Sequence, residues 1–348
     1  MTVEAPVLRK MSEEEKKSKV PEELTWPEEL KLPELLVSEK VRSLHATIDR
    51  EWGSVQQTAL QTAAGRALWK QVIHDQYAEV LAGERYLGSF YEKIRRDQLN
   101  KAQEVSGVII AVRTLWFDSK LENAINSFKG GEAQVVLLGA GMDARAYRLR
   151  CLSKSSIFEV DFPELLETKA ALLQQAFGLN NNQQMTIMAK SLIRVAADIR
   201  DNDWLEKLQR SGFVPEKNTV WLLEGILYYL PHLYAMQVLQ SIAANCSLTR
   251  TVLLADFMNK SAISISHSNF HFYCDWPDQL LPSLGFSQVN LSQIGDPDAH
   301  FGLMHDPDNL FNKLRNVPRS LQTHPDDGTP CHRLYLVEAS GSPHQATK

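Results

Sequence analysis

The most informative spacing in this chain joins a glycine-rich turn to a carboxylate. The turn is Gly139-x-Gly141-x-x-Ala144, and Asp161 stands 22 residues after its first glycine. Glycine lets the backbone bend sharply and lets a ligand approach the main chain closely. A carboxylate about 20 residues further on can accept both ribose hydroxyls of an adenosine-bearing ligand. Glu159 falls on the same face under strand alternation and is the rival for that role. Two more acids, Asp198 and Glu224, also close apolar runs. The plain alternatives are a tight turn that holds nothing and acids that merely cap helices. NAD and S-adenosylmethionine both suit the glycines and the first acid. The extra acids separate them. A pyrophosphate wants amide donors and a helix N-terminus, whereas a sulfonium, an ammonium and an adenine amine want acidic partners. The expectation is therefore a methyl-donor site.

These residues need strands to carry them to one edge. Gln134–Leu138 is a short apolar run of the buried-strand type that feeds the glycine turn. Ile157–Asp161 is a second such run, and Pro163 sits where the first turn of a helix, Glu164–Phe177, accepts proline. Further strands are expected near Thr186–Met188, at Arg194–Ala197, at Thr219–Leu223 and at Thr251–Asp256. Helices are expected at Trp204–Leu208 and Leu233–Ala244. Strand and helix in alternation predict an α/β chain with a doubly wound, mostly parallel sheet. In such sheets ligands bind at the carboxyl ends of the strands. After Asp256 the alternation lapses into a helix at Leu280–Leu284 and strands at Phe286–Leu291 and Arg333–Val337. The proline-broken stretch 295–330 is long enough for a lid or a substrate wall. Upstream, Ala59, Ala63, Ala64 and Ala67 recur at helical spacing, and Gly83 and Gly88 punctuate the region. The chain divides into an arm at 1–34, held by Trp26, a helical cap at 35–128, and the α/β unit at 129–348.

Composition limits the rest. The 348 residues carry 37 Lys+Arg against 42 Asp+Glu, a net charge of −5, with 44% hydrophobic and 23% charged residues. These values exclude collagen, a coiled coil and a disordered chain. They leave no electrostatic footprint for nucleic acid or an anionic membrane. No apolar run reaches the ~18 residues of a membrane span. Glu13-Glu14-Glu15-Lys16-Lys17 offers neither a secretion nor a transit signal, so the cytoplasm is expected. Cys151, Cys246, Cys274 and Cys331 are scattered without a C-x-x-C pair and read as reduced thiols.

Four segments in order carry a family resemblance. Val136-Leu137-Leu138-Gly139-Ala140-Gly141-Met142-Asp143-Ala144-Arg145-Ala146-Tyr147-Arg148-Leu149 resembles the first motif of the leucine carboxyl methyltransferase family. Phe158-Glu159-Val160-Asp161-Phe162-Pro163 resembles the second. Ala197–Asp201 and Glu224–Leu230 resemble the third and fourth. Thr58–Ala67 and Ala111–Asp118 resemble the N-terminal helix and the pre-glycine segment of its bacterial-type branch, and the likeness runs from about Ser54 to Ala339. It implies a class I, Rossmann-like methyltransferase fold with a helical N-terminal cap and a C-terminal lid insertion. It implies that Gly139 and Gly141 line the methionine part of S-adenosylmethionine, that Asp161 holds the ribose, and that Asp198 and the main chain of Ile199 meet adenine. Glu224 is then the partner of the donor's ammonium. Arg113, with Arg66 sharing the task, faces its carboxylate or an anionic substrate. Tyr228 and Tyr229 stand by the methyl position, where Arg113 and Tyr229 act by positioning. The resemblance implies transfer to an oxygen of a small-molecule acceptor or, in the family's other branch, to the C-terminal leucine carboxylate of a phosphatase catalytic subunit. A carboxylate acceptor is already ionised at neutral pH and needs no base. A hydroxyl needs one, and His267 and His271 are the candidates. Their i, i+4 spacing offers no third ligand, so no metal is expected.

Overall fold

A computed structural model describes residues 26–102, 104–178, 187–266, 269–304 and 310–343. The N-terminal part is helical: α1 (Glu39–Glu51), α2 (Ser54–Leu68), α3 (Ala78–Leu99, kinked at Gly83) and α4 (Val108–Ser127). Ser38 caps α1 by accepting from the Val41 N–H at 3.4 Å, the use of a serine that helix starts favour. Gly83 breaks α3, but Gly88 lies within the helix with open space beside it, so only the first of the two glycines interrupts the element.

The remainder alternates as β1 (Gln134–Leu138), α5 (Arg145–Arg148), β2 (Ser156–Asp161), α6 (Pro163–Gly178), β3 (Ser191–Ala196), α7 (Trp204–Arg210), β4 (Thr219–Leu223), α8 (His232–Ala244) and β5 (Thr251–Met258). It closes with α9 (Pro277–Leu284), β6 (Gln288–Gln293), α10 (Leu310–Lys313) and β7 (Leu334–Gly341). The seven strands form one sheet in the order β3-β2-β1-β4-β5-β7-β6, and β7 runs antiparallel to both neighbours. This is the α/β, doubly wound, mostly parallel sheet that the alternation predicts. The strand expected near Thr186–Met188 is a correction. Thr186 lies outside the described residues, and Ile187 and Met188 form no strand. The edge of β2 is already paired along its length by Ser191–Ala196.

Alternation along the central strands feeds two cores. Val135 and Leu137 of β1, Ile157, Val220, Leu222 and Leu254 face α1–α4 and α6. Val136, Leu138, Val160, Trp221, Leu223 and Leu253 face α7, α8 and α9. A strand buried on both faces has no polar register, which is why β1 and β4 read as unbroken apolar runs. The N-terminal helices thus share one core with a face of the sheet. The chain before α1 joins them: Trp26 packs edge-on against Trp69, with ring centroids 5.3 Å apart, and the Tyr91 hydroxyl donates to the Pro27 carbonyl at 2.6 Å. None of the helices in the described residues is long and apolar enough to cross a membrane.

Candidate functional site

The strand order reverses between β1 and β4, and a cleft opens there at the carboxyl ends of the parallel strands, where open sheets of this kind hold ligands. About 1070 Å³ of empty space, the open mouth included, lies between the strand ends and α2. Gly139, Gly141, Asp161, Glu224, Arg66, Arg113 and Tyr229 all line it. None of the described residues of 295–330 does; the outer wall comes instead from Val55, Thr58, Ala59 and Thr62 of α2.

The glycine turn is held from beneath. The N–H groups of Gly139 and Ala140 both donate to the Val160 carbonyl, at 2.9 and 3.2 Å, and the Gly141 N–H donates to Asp161 Oδ2 at 2.8 Å. Gly139 has φ +67°, and a Cβ there would sit 2.8 Å from Ile226 Cδ1, so the position is closed to side chains. Asp161 Oδ1 accepts from the Phe162 N–H at 2.8 Å. Each carboxylate oxygen therefore keeps one lone pair for a ligand. Burial raises the Asp161 carboxyl above the usual range, with the two amide donors pulling the other way. Its rival Glu159 is fully buried and committed to Lys169 at 2.7 Å and Arg194 at 3.2 Å, away from the cleft.

Around Glu224 the charges interlock. Its Oε1 accepts from Arg113 Nε at 3.1 Å, and its Oε2 lies 2.7 Å from Arg145 Nη2. Arg113 Nη1 also donates to the Tyr228 hydroxyl at 3.2 Å and to Asp256 Oδ2 at 3.1 Å. Burial opposes the Arg113 charge, but Tyr228, Asp256 and Glu224 together hold it protonated. Arg145 is gripped by Asp143 and, at 2.6 Å, by Asp118. Arg66 donates from Nε to Asp75 at 2.9 Å and from Nη2 to the Met142 carbonyl at 2.6 Å, tying α2 to the glycine turn. The lining thus carries three carboxylates, Asp143, Asp161 and Glu224, and three guanidiniums, Arg66, Arg113 and Arg145. The sequence pointed to convergent acids; the folded site is charge-balanced.

Asp198 and Ile199 follow β3 beside the end of β2, where the Ala197 N–H donates to the Asp161 carbonyl at 3.0 Å. Neither lines the cleft. Ile199 is buried, and Asp198 accepts from the Arg200 backbone and guanidinium at 2.9 Å. Burial raises the Asp198 carboxyl, but those bonds outweigh it and leave it below the ordinary range. Tyr229 packs against Tyr228 and Phe270, at centroid distances of 4.9 and 5.3 Å. His271 is exposed and does not line the cleft, and His267 lies outside the described residues. Sequence reasoning missed Arg145, Asp143, Asp118 and Asp256. Only Asp256, an acid closing an apolar strand like the others, carried a signal that could have found it.

A sequence profile described as "Leucine carboxyl methyltransferase" matches residues 59–243. A protein of Mycobacterium bovis named "Putative S-adenosyl-L-methionine-dependent methyltransferase" is 36% identical over 189 residues, covering 51% of this chain and 57% of its own length. One from Mycobacteroides abscessus with the same name is 34% identical over 205 residues, covering 53% of this chain and 62% of its own. The chain therefore spans little more than half the length of the curated relatives it matches. Among solved structures, a DUF574 family protein from Streptomyces avermitilis is 11% identical with a TM-score of 0.46, covering 76% of this chain and 95% of that one. That likeness is too distant to bear on function.

Proposed function

We propose that this chain, which belongs to the leucine carboxyl methyltransferase family, transfers a methyl group from S-adenosylmethionine to an oxygen of a small-molecule acceptor. The observation that carries this reading is the charge-balanced cleft at the β1/β4 switch point. The donor is itself a zwitterion with an added sulfonium charge, and the lining suits it. Asp161 keeps an acceptor lone pair on each oxygen for ribose hydroxyls. Glu224 is placed for an ammonium. Among the described residues no hydrogen bond occupies Nη2 of Arg113 or Nη1 of Arg66, so both can receive a carboxylate. A dinucleotide suits the site less well. The glycine-turn amides that would cradle a pyrophosphate are already bonded to Val160 and Asp161, and α5, of four residues, provides little helix dipole.

The bound donor supplies an electrophilic methyl group, and the chain's work is placement and exclusion of water. Arg113, Arg66 and Glu224 orient the amino-acid end of the donor. Tyr228, Tyr229 and the α2 wall enclose the reacting edge. A carboxylate acceptor arrives ionised and asks no base of the chain; a hydroxyl asks one. The family's name favours a second acceptor, a protein's C-terminal leucine carboxylate such as that of a phosphatase catalytic subunit.

Calorimetry on the full chain tests the donor: S-adenosylhomocysteine binds, NAD does not, and Asp161→Ala abolishes the heat. Binding of NAD in preference, or an unchanged affinity in Asp161→Ala, overturns the assignment. Labelled donor offered with cell extract, and separately with a phosphatase-tail peptide, tells the two acceptors apart.

A further inference from the structure

Asp256 does not line the cleft, yet it holds two parts of the site at once. It is fully buried within β5, two residues before the strand ends. One oxygen accepts from Arg113 Nη1 at 3.1 Å and the other from the Gly225 N–H at 2.8 Å. Gly225 has φ +70°, and a Cβ there would come within 3.3 Å of Arg113 Nη1, so this turn is fitted around the guanidinium. The same turn carries Glu224 and Ile226 into the cleft. We propose that Asp256 is a positioning residue for the amino-acid end of the donor: by holding Arg113 through Nη1 and the Glu224-bearing turn through the Gly225 N–H, it fixes the Arg113–Glu224 pair so that Nη2 of the guanidinium is presented to a carboxylate beside the acid that meets the ammonium. This inference rests on the donor reading above.

The charged and titratable groups that face Asp256 among the described residues are Arg113 from α4, and Glu224, Tyr228 and Tyr229 from the segment after β4. On β7 it is paired with Leu336, which is neutral. Burial pushes the Asp256 carboxyl up to about 6, against the pull of Arg113. Its charge, and the restraint on Arg113, are therefore present above that pH and fade below it. With the charge gone, Nη1 of Arg113 loses its carboxylate partner, and the guanidinium is no longer fixed for the donor's carboxylate.

The test compares two probes that differ only at the end in question. S-adenosylhomocysteine has the amino-acid group; 5′-methylthioadenosine lacks it and reports the nucleoside subsite and the integrity of the fold. In the full chain at pH 7.5, Asp256→Asn is expected to weaken S-adenosylhomocysteine about tenfold or more, the scale of a lost charge-assisted hydrogen bond, and to leave 5′-methylthioadenosine unchanged. Wild-type affinity for S-adenosylhomocysteine falls as pH drops through about 6, and the Asp256→Asn profile is flat there. In an Arg113→Met background, Asp256→Asn has no further effect. Equal loss for both probes, unchanged or tighter S-adenosylhomocysteine binding, or an additive double variant overturns the proposal. A wild type that binds neither probe overturns the donor reading instead.

Discussion

Asp143 shows how far partners decide what a carboxylate does. Burial alone would raise its carboxyl, but Arg145, with Lys169, Arg66 and Arg148 further off, lowers it to about 2. A carboxyl held below its unfolded value of 3.8 contributes stability above that pH and loses it as pH falls toward 2. The gap is worth about 2 kcal/mol. Urea denaturation should therefore find Asp143→Asn less stable than wild type by about that amount at pH 7, with the difference closing between pH 4 and 2. A difference as large at low pH as at neutral pH would show that Asp143 acts through shape and not charge. The residue scale is also where sequence reading was most selective. Asp161 and Glu224 were legible because they end apolar strands. Arg145, which meets Glu224 at 2.7 Å, was not, because nothing in its local sequence points to a partner just beyond β4.

Among the elements, α2 has the most exacting placement. It forms the outer wall of the cleft and brings Arg66 to the Met142 carbonyl. Its approach to α4 depends on Gly65, where a Cβ would meet Ile110 Cδ1 at 2.7 Å. Gly65→Leu is expected to lever α2 away and lower both the melting temperature and the affinity for S-adenosylhomocysteine. Gly88, in α3 with open space beside it, is the contrasting position. Gly88→Ala should stabilise by about 0.5–1 kcal/mol through helix propensity, leaving ligand binding untouched. Thermal melts and calorimetry on both variants check the pair; equal behaviour would mean that the helix crossing does not set the wall. From the sequence the alanine spacing of α2 showed a helix, but not that its face covers the glycine turn.

At the scale of the whole molecule, the N-terminal helices and the sheet share a single interior. Leu137, Ile157, Leu222 and Leu254 on the strands lie in one buried cluster with Leu60, Val112 and Trp116 on the helices. Each such aliphatic side chain is worth about 1.5–3 kcal/mol when buried. A fragment of residues 129–348 would expose the part of that sheet face covered by α1–α4, leaving α6 against it. It should lack a cooperative unfolding transition and bind 8-anilinonaphthalene-1-sulfonate; a fragment that melts sharply and binds S-adenosylhomocysteine would show that the helices only decorate a self-sufficient sheet.

By itself the sequence determined the alternation of strands and helices, the glycine turn and the acids at strand ends. Those depend on local properties: apolar runs, side-chain periodicity and the conformational freedom of glycine. Only the tertiary structure decided that Asp161 and not Glu159 faces the cleft. It alone placed Asp198 against Arg200 outside the lining and made α2, instead of the described residues of 295–330, the wall. It also countered the acids with Arg66, Arg113 and Arg145. Those outcomes depend on which groups meet across the fold. Arg113 reaches Asp256 over 143 positions of sequence, a separation at which local pattern carries no information about charge pairing.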